Sequence, residues 1–213
     1  MLRLLAPELL GRLLLRDMRL SIVIPTISGR EESLERAVES FKQTTRGCQH
    51  EIIIIKDEPT WPEACNAGFY QSKGEVVLFS ADDLDALRNW WKRPLAHLAE
   101  YDELPAPRVY DNHGPDGQRW LMNEKDGKDG DLTHFTRIPI MTRSQWERIG
   151  PWPNLIYYAD MWVSEKARTL GIRTRMIYGF DFFHHWSQIG RVDSKENLDA
   201  SGWHLNRLRE EMV

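Results

Sequence analysis

Cysteine is nearly absent from this 213-residue chain, with Cys48 and Cys65 its whole complement. Two thiols without C-x-x-C spacing exclude a disulfide framework, a thiolate metal site and a dithiol redox motif, and they fit a reducing, cytoplasmic setting. A basic excess is missing too. Lys and Arg total 28 against 32 Asp and Glu, for a formal charge of -4 and a pI near 6.0, which argues against a general binder of phosphate backbones. Long apolar runs are also lacking. The Leu-rich start, "MLRLLAPELLGRLLLRDMRL", is broken by Arg3, Glu8, Arg12 and Arg16, so nothing approaches the roughly 20 apolar residues of a membrane span. Nor does a small-residue cleavage site follow it, as a secretory signal would require.

What is present suffices for a packed core, since 41% of the residues are hydrophobic. Residues 1–17 read as an amphipathic helical extension that packs on the body or on a second subunit as a homo-oligomer contact, with shallow attachment to a membrane surface as the other reading. Met18 stands directly before the first strand signal, so the extension is expected to be dispensable for folding.

From there the chain alternates. "LSIVIPT" (20–26) reads as a buried strand and "EESLERAVESFKQTT" (31–45) as a helix with Leu34, Ala37, Val38 and Phe41 on one face. "EIIIIKDEP" (51–59), "PEACNAGFYQSK" (62–73) and "EVVLFSADD" (75–83) follow as strand, helix and strand. The order βαβαβ predicts a parallel sheet, and such sheets place ligands beyond the carboxyl ends of their strands. Thr26, Asp57 and the cluster Asp82, Asp83 and Asp85 all fall at that rim. Carboxylates gathered there suit a hard divalent cation, Mg²⁺ or Mn²⁺. The same acids also suit the N-terminus of a helix over "DLDALRNWWKRPLAHLAEY", with Asp82 as its cap. Both readings stand at this point.

The second half adds a loop (119–135), a helix in "MTRSQWERIGPW" (141–152), a helix from Asp160 closing at Gly171, and a strand from residue 173 that ends at His184 and His185. Trp61, Trp152 and Trp186 fall beside predicted rim loops as candidate stacking platforms. Arg30, Arg137 and Arg143 are candidates for phosphate or acceptor contacts, and Tyr157 and Tyr158 for acceptor positioning.

In order and spacing these segments resemble glycosyltransferase family 2, over roughly residues 20–186. "SIVIPT" is similar to that family's opening strand and "EIIIIKDE" to its second. "ACNAGFYQSKGEVVLFSADD" resembles the Asn-x-Gly helix that leads through Gly-Glu to the Asp-x-Asp motif, and "MTRSQWERIGPW" with Asp160 resembles the acceptor-side segment. The resemblance implies the GT-A fold, an α/β architecture with a mostly parallel sheet flanked by helices. It divides the chain into a nucleotide-sugar-binding half (18–100), an acceptor-binding half (101–190) and a C-terminal tail (191–213).

The implied donor is a UDP- or GDP-sugar, held by Thr26, Asp57, Asn66, Ser80 and Asp82. A divalent cation, Mn²⁺ or Mg²⁺, would be held by Asp82 with His184 or His185, of which alternation along a strand points one inward. Asp160 is implied as the base of an inverting transfer. Ser80 departs from the pattern, standing where the family carries its first acid, and Lys56 stands where an acid is frequent. The acceptor is open among glycan, protein, small molecule and modified nucleic-acid base. Two other functions compete: a sugar-nucleotide nucleotidyltransferase, disfavoured because "PTISGREES" has a single Gly where a Gly-rich phosphate loop is expected, and a degenerate nucleotide-binding module, favoured by Ser80.

Overall fold

The computed structural model describes residues 18–111, 120–121, 138–155, 158–185, 206–207 and 210. The expected N-terminal helix with its oligomer contact, Arg137, Tyr157, Trp186 and most of the tail lie outside the described residues.

Strand β1 (Leu20–Thr26) lies at the centre, with β2 (His50–Lys56) and β3 (Val76–Phe79) parallel to it on either side and β7 (Ile140–Thr142) antiparallel on the far edge of β3. The alternation of side chains explains why this sheet is apolar on both faces. Val23, Val77 and Phe79 face helix α2 (Trp61–Gln71), α4 (Arg143–Ile149) and α5 (Ala159–Thr169), while Leu20, Ile22, Ile24 and Leu78 face α1 (Glu31–Thr44) and α3 (Lys92–Glu100). Gly68 permits the close seat of α2, because a Cβ there would overlap the side chain of Val23. Helix α2 begins where its signals stand, with Thr60 Oγ1 accepting from the Glu63 amide and Pro62 in the first turn.

A second sheet has the order β4 (Leu84–Ala86), β8 (Arg173–His184), β5 (Glu103–Asp111) and β6 (Trp120–Leu121). Its long pair, β5 and β8, is parallel, with an irregularity between Ala106 and Arg108 opposite the positive-φ Gly179. Strand β6 falls within the stretch expected to be a loop.

The helix expected over residues 83–101 is the main correction. Leu84 to Ala86 instead pair antiparallel with Phe182 to His184, and the helix waits until Lys92. Pro94, lacking an amide hydrogen, fits only the first turn of a helix, which fixes that late start. Asp82 therefore caps no helix. No helix among the described residues is long and apolar enough to cross a membrane.

Candidate active site

The first three strands end at one rim, as their order requires. There, Thr26 Oγ1 donates to Asp82 Oδ2 at 2.6 Å, and Arg30, from the loop between β1 and α1, reaches Asp82 Oδ1 at 2.9 Å and Asp83 Oδ2 at 3.0 Å. Asp83 Oδ2 also lies 3.6 Å from His184 Nε2. The charge at the strand end thus has an internal counterion, which sequence reasoning placed only among three candidate arginines. Its signal was positional: Arg30 is the first cation after β1, on the rim itself.

The environments of the two acids differ. Asp82 is 2% exposed, and burial raises its pKa against the opposing hydrogen bond from Thr26 and the charge of Arg30. Burial also pushes Asp83 upward, but His184 and Arg30 together outweigh it and hold that carboxyl below its ordinary range. Asp83 is accordingly the more firmly ionised of the pair.

Two adjoining cavities open at this rim. The larger, about 200 Å³, is lined by Trp61, Ser80, Asp83, Asp160 and His184 among others. The second, about 160 Å³, is lined by Thr26, Arg30, Glu58, Thr60, Trp61 and Asp82 among others. Trp61 and Ala81 belong to both. The Trp61 indole donates to the carbonyl of Ser80 at 3.0 Å, so the ring forms a fixed wall between the two spaces.

The expected site residues separate on this geometry. Thr26, Ser80, Asp82, Asp160 and His184 line the cavities. His185 does not join His184: its Nε2 lies 2.6 Å from Asp85 Oδ2, while Arg36 approaches the other oxygen of Asp85 at 3.3 Å. Asp57 sits in the left-handed region (φ 60°) at the end of β2, where its carboxylate accepts from the amide and hydroxyl of Ser28. Those bonds hold its pKa below the usual carboxylate range and tie the β1 and β2 loops together. Asn66 lines neither cavity, because both ends of its amide are committed to the backbone of Trp152.

Trp152, a candidate platform, is instead buried beneath Trp61 and Phe79, with ring centroids 5.0 and 4.6 Å away. Arg143 stacks on Phe69 and donates to Ser72 and Gly74. Ser80 is 1% exposed and its hydroxyl turns to the Ala81 carbonyl. A third carboxylate in that position would be desolvated close to Asp82.

Asp160 stands in the first turn of α5, not at its cap. That place is held by Tyr158 in the left-handed region (φ 66°), whose carbonyl accepts from Trp162. The turn puts the Asp160 carboxylate at the positive end of the helix, facing the cavity that also contains Asp83 and His184.

No group of three or more His, Cys, Asp or Glu among the described residues is arranged to hold a metal ion. Asp83 and His184 nonetheless offer one carboxylate and one imidazole side by side. That donor pair fits Mn²⁺ or Mg²⁺ when phosphate oxygens and water supply the remaining positions.

No family profile and no curated protein matches the sequence. Solved structures do. The chain is similar to a crystal structure of GalNAc-T7 with UDP, GalNAc and Mn²⁺, at 12% identity and a TM-score of 0.65, over 84% of this chain and 46% of that one. It is also similar to TarS of S. aureus, at 14% identity and a TM-score of 0.62, over 80% of this chain and 37% of that one. The fold is GT-A, shared with these glycosyltransferases, and the chain spans less than half the length of either.

Proposed function

We propose that this chain is a glycosyltransferase that moves a sugar from a nucleoside-diphosphate donor to an acceptor hydroxyl, by single displacement with inversion and with the aid of a divalent cation. The observation that carries the reading is one cavity holding both the Asp83–His184 pair and the separate carboxylate of Asp160. The likeness in fold to a protein crystallised with UDP, GalNAc and Mn²⁺ supports it.

Asp83 and His184 would hold the cation, with Asp82 fixed behind them by Thr26. When bound, that ion stabilises the charge that grows on the diphosphate as the anomeric bond breaks. The charge balance asks for it: Asp82 and Asp83 share the single guanidinium of Arg30, and a diphosphate entering there brings further negative charge. Thr26 bounds the nucleoside end, Asp57 holds the adjoining loop there through Ser28, and the Trp61 ring offers a stacking face. Asp160 accepts the acceptor's proton as its oxygen attacks the anomeric carbon. Asn66 acts from behind, by holding Trp152 beneath Trp61.

A panel of UDP- and GDP-sugars incubated with the protein and Mn²⁺ tests this reading through release of the nucleoside diphosphate. Release above background with at least one donor is expected. A second reading, a nucleotide-binding module without turnover, is favoured by Ser80 standing where an acid is expected. It is supported instead if nucleoside diphosphates bind while no donor in the panel is consumed.

A further inference from the structure

Arg30 combines three features that a surface arginine lacks. Its side chain is only 14% exposed, one of its terminal nitrogens bridges Asp82 and Asp83, and its Nε is buried with no hydrogen-bond partner. The backbone beneath it is fixed. Its carbonyl accepts from Leu34 at the start of α1, and the preceding turn is anchored where Ser28 binds Asp57. The side chain lines the cavity beside Asp82.

We infer that Arg30 is a built-in occupant of the cation site, which a divalent ion displaces and a diphosphate then receives. The inference rests on the donor-site reading above. Arg30 and His184 approach the same oxygen of Asp83, so a cation held between Asp83 Oδ2 and His184 takes the oxygen Arg30 now holds, and an ion arriving alone must overcome the existing ion pair and leave a guanidinium in a partly buried cavity. A diphosphate removes that penalty. Its oxygens give Arg30 a new anionic partner, with the planar fork and the unpaired Nε–H suited to two parallel hydrogen bonds.

Ion and nucleotide therefore bind as a coupled pair, each raising the affinity for the other by the same factor. Without either, Arg30 keeps two adjacent carboxylates from facing each other uncompensated, which explains how Asp82 remains buried beside Asp83. The sequence carries the device in four residues: Ser28 to anchor the turn, Gly29 (φ 88°) to make it, Arg30 to reach back, and Glu31 to open the helix.

The test is a pair of titrations on the full chain and on Arg30→Gln: Mn²⁺ without nucleotide, followed by free-ion electron paramagnetic resonance, and the same with saturating UDP. In the parent chain UDP should raise Mn²⁺ affinity about tenfold or more, within the usual range of coupling. In Arg30→Gln, Mn²⁺ alone should bind more tightly than to the parent and the UDP effect should shrink below about threefold. An Arg30→Gln protein that binds Mn²⁺ alone no more tightly than the parent, or keeps the full coupling, overturns the role of Arg30 and leaves the cation site standing. Absence of Mn²⁺ and UDP binding in both proteins removes the donor-site reading and this inference together. If Arg30→Gln does not fold, the unaltered chain decides: the Arg30 Nε–H resonance, assigned by its loss in Arg30→Lys, should shift on adding Mg²⁺ with UDP, and an unmoved resonance in the bound complex overturns the exchange.

Discussion

Asn66 and Trp152 hold each other by two hydrogen bonds of 2.9 Å: the Asn66 amide donates to the Trp152 carbonyl, and the Trp152 N–H donates back to Asn66 Oδ1. Asn66→Ala leaves two backbone groups unpaired near the buried Trp152 ring, a loss of about 2 kcal/mol of stability. Chemical denaturation should show that loss, while calorimetry on the folded fraction should show UDP affinity little changed. A stability equal to the parent's with a large loss of affinity would place Asn66 in the donor site instead.

The adjacent histidines should behave differently. His184→Ala removes a proposed ligand and should weaken Mn²⁺-dependent nucleotide binding about tenfold or more. His185→Ala removes one partner of Asp85, which keeps Arg36, and an edge contact with the Phe183 ring, so the change should be about 1 kcal/mol in unfolding free energy with binding unaffected. Equal effects of the two on nucleotide binding would contradict the separation.

Asp160→Asn keeps the size of the side chain but cannot take a proton. Sugar transfer should fall about 100-fold or more while donor affinity survives. A purely structural part at the start of α5 predicts a change in melting temperature and unaltered turnover per folded molecule. Parental turnover in Asp160→Asn would remove it as the base.

Arg175, bonded to Glu103 at 2.8 Å, ties β8 to β5 and holds the Glu103 carboxyl below its ordinary value of 4.5, against the opposing effect of burial. A carboxyl whose pKa is lowered on folding contributes fully above its unfolded value and loses that contribution as pH falls through the folded one. Thermal unfolding of the parent should therefore weaken more steeply below about pH 4.5 than that of Glu103→Gln, with about 1 to 2 kcal/mol separating them at neutral pH. Parallel pH profiles would count against the assignment.

The first half of the fold was legible because local and global signals agree there. β1 through β3 are apolar on both faces, and Thr60, Pro62 and Gly68 mark and seat α2 where it forms. The second sheet was hidden for physical reasons. Pro105 and Pro107 read as strand breakers, yet both lie within β5, whose parallel register with β8 shifts between Ala106 and Arg108. β4 is three residues long and takes its conformation from pairing with β8, so no local pattern announced it.

At the site, the chain order brought Thr26, Ser80, Asp82, Asp160 and His184 to one rim. The pairing of Arg30 with Asp82 and Asp83, and of Asp83 with His184, was not readable, because it depends on rotamers and on the approach of segments as far apart in the chain as Arg30 and His184. Alternation predicted that His184 and His185 would point apart; His184, the last residue of β8, lines the cavity, and His185, one residue beyond the strand, pairs with Asp85.

The central claim, a donor site that takes a nucleoside diphosphate together with a divalent cation, is tested most directly by calorimetry with UDP and GDP in the presence and absence of Mn²⁺. Saturable binding of at least one of them is expected, tightening about tenfold or more with Mn²⁺ and weakened by Asp83→Asn. Identical affinities with and without the ion would contradict the cation assignment, and no binding of either nucleotide under both conditions would contradict the donor site itself.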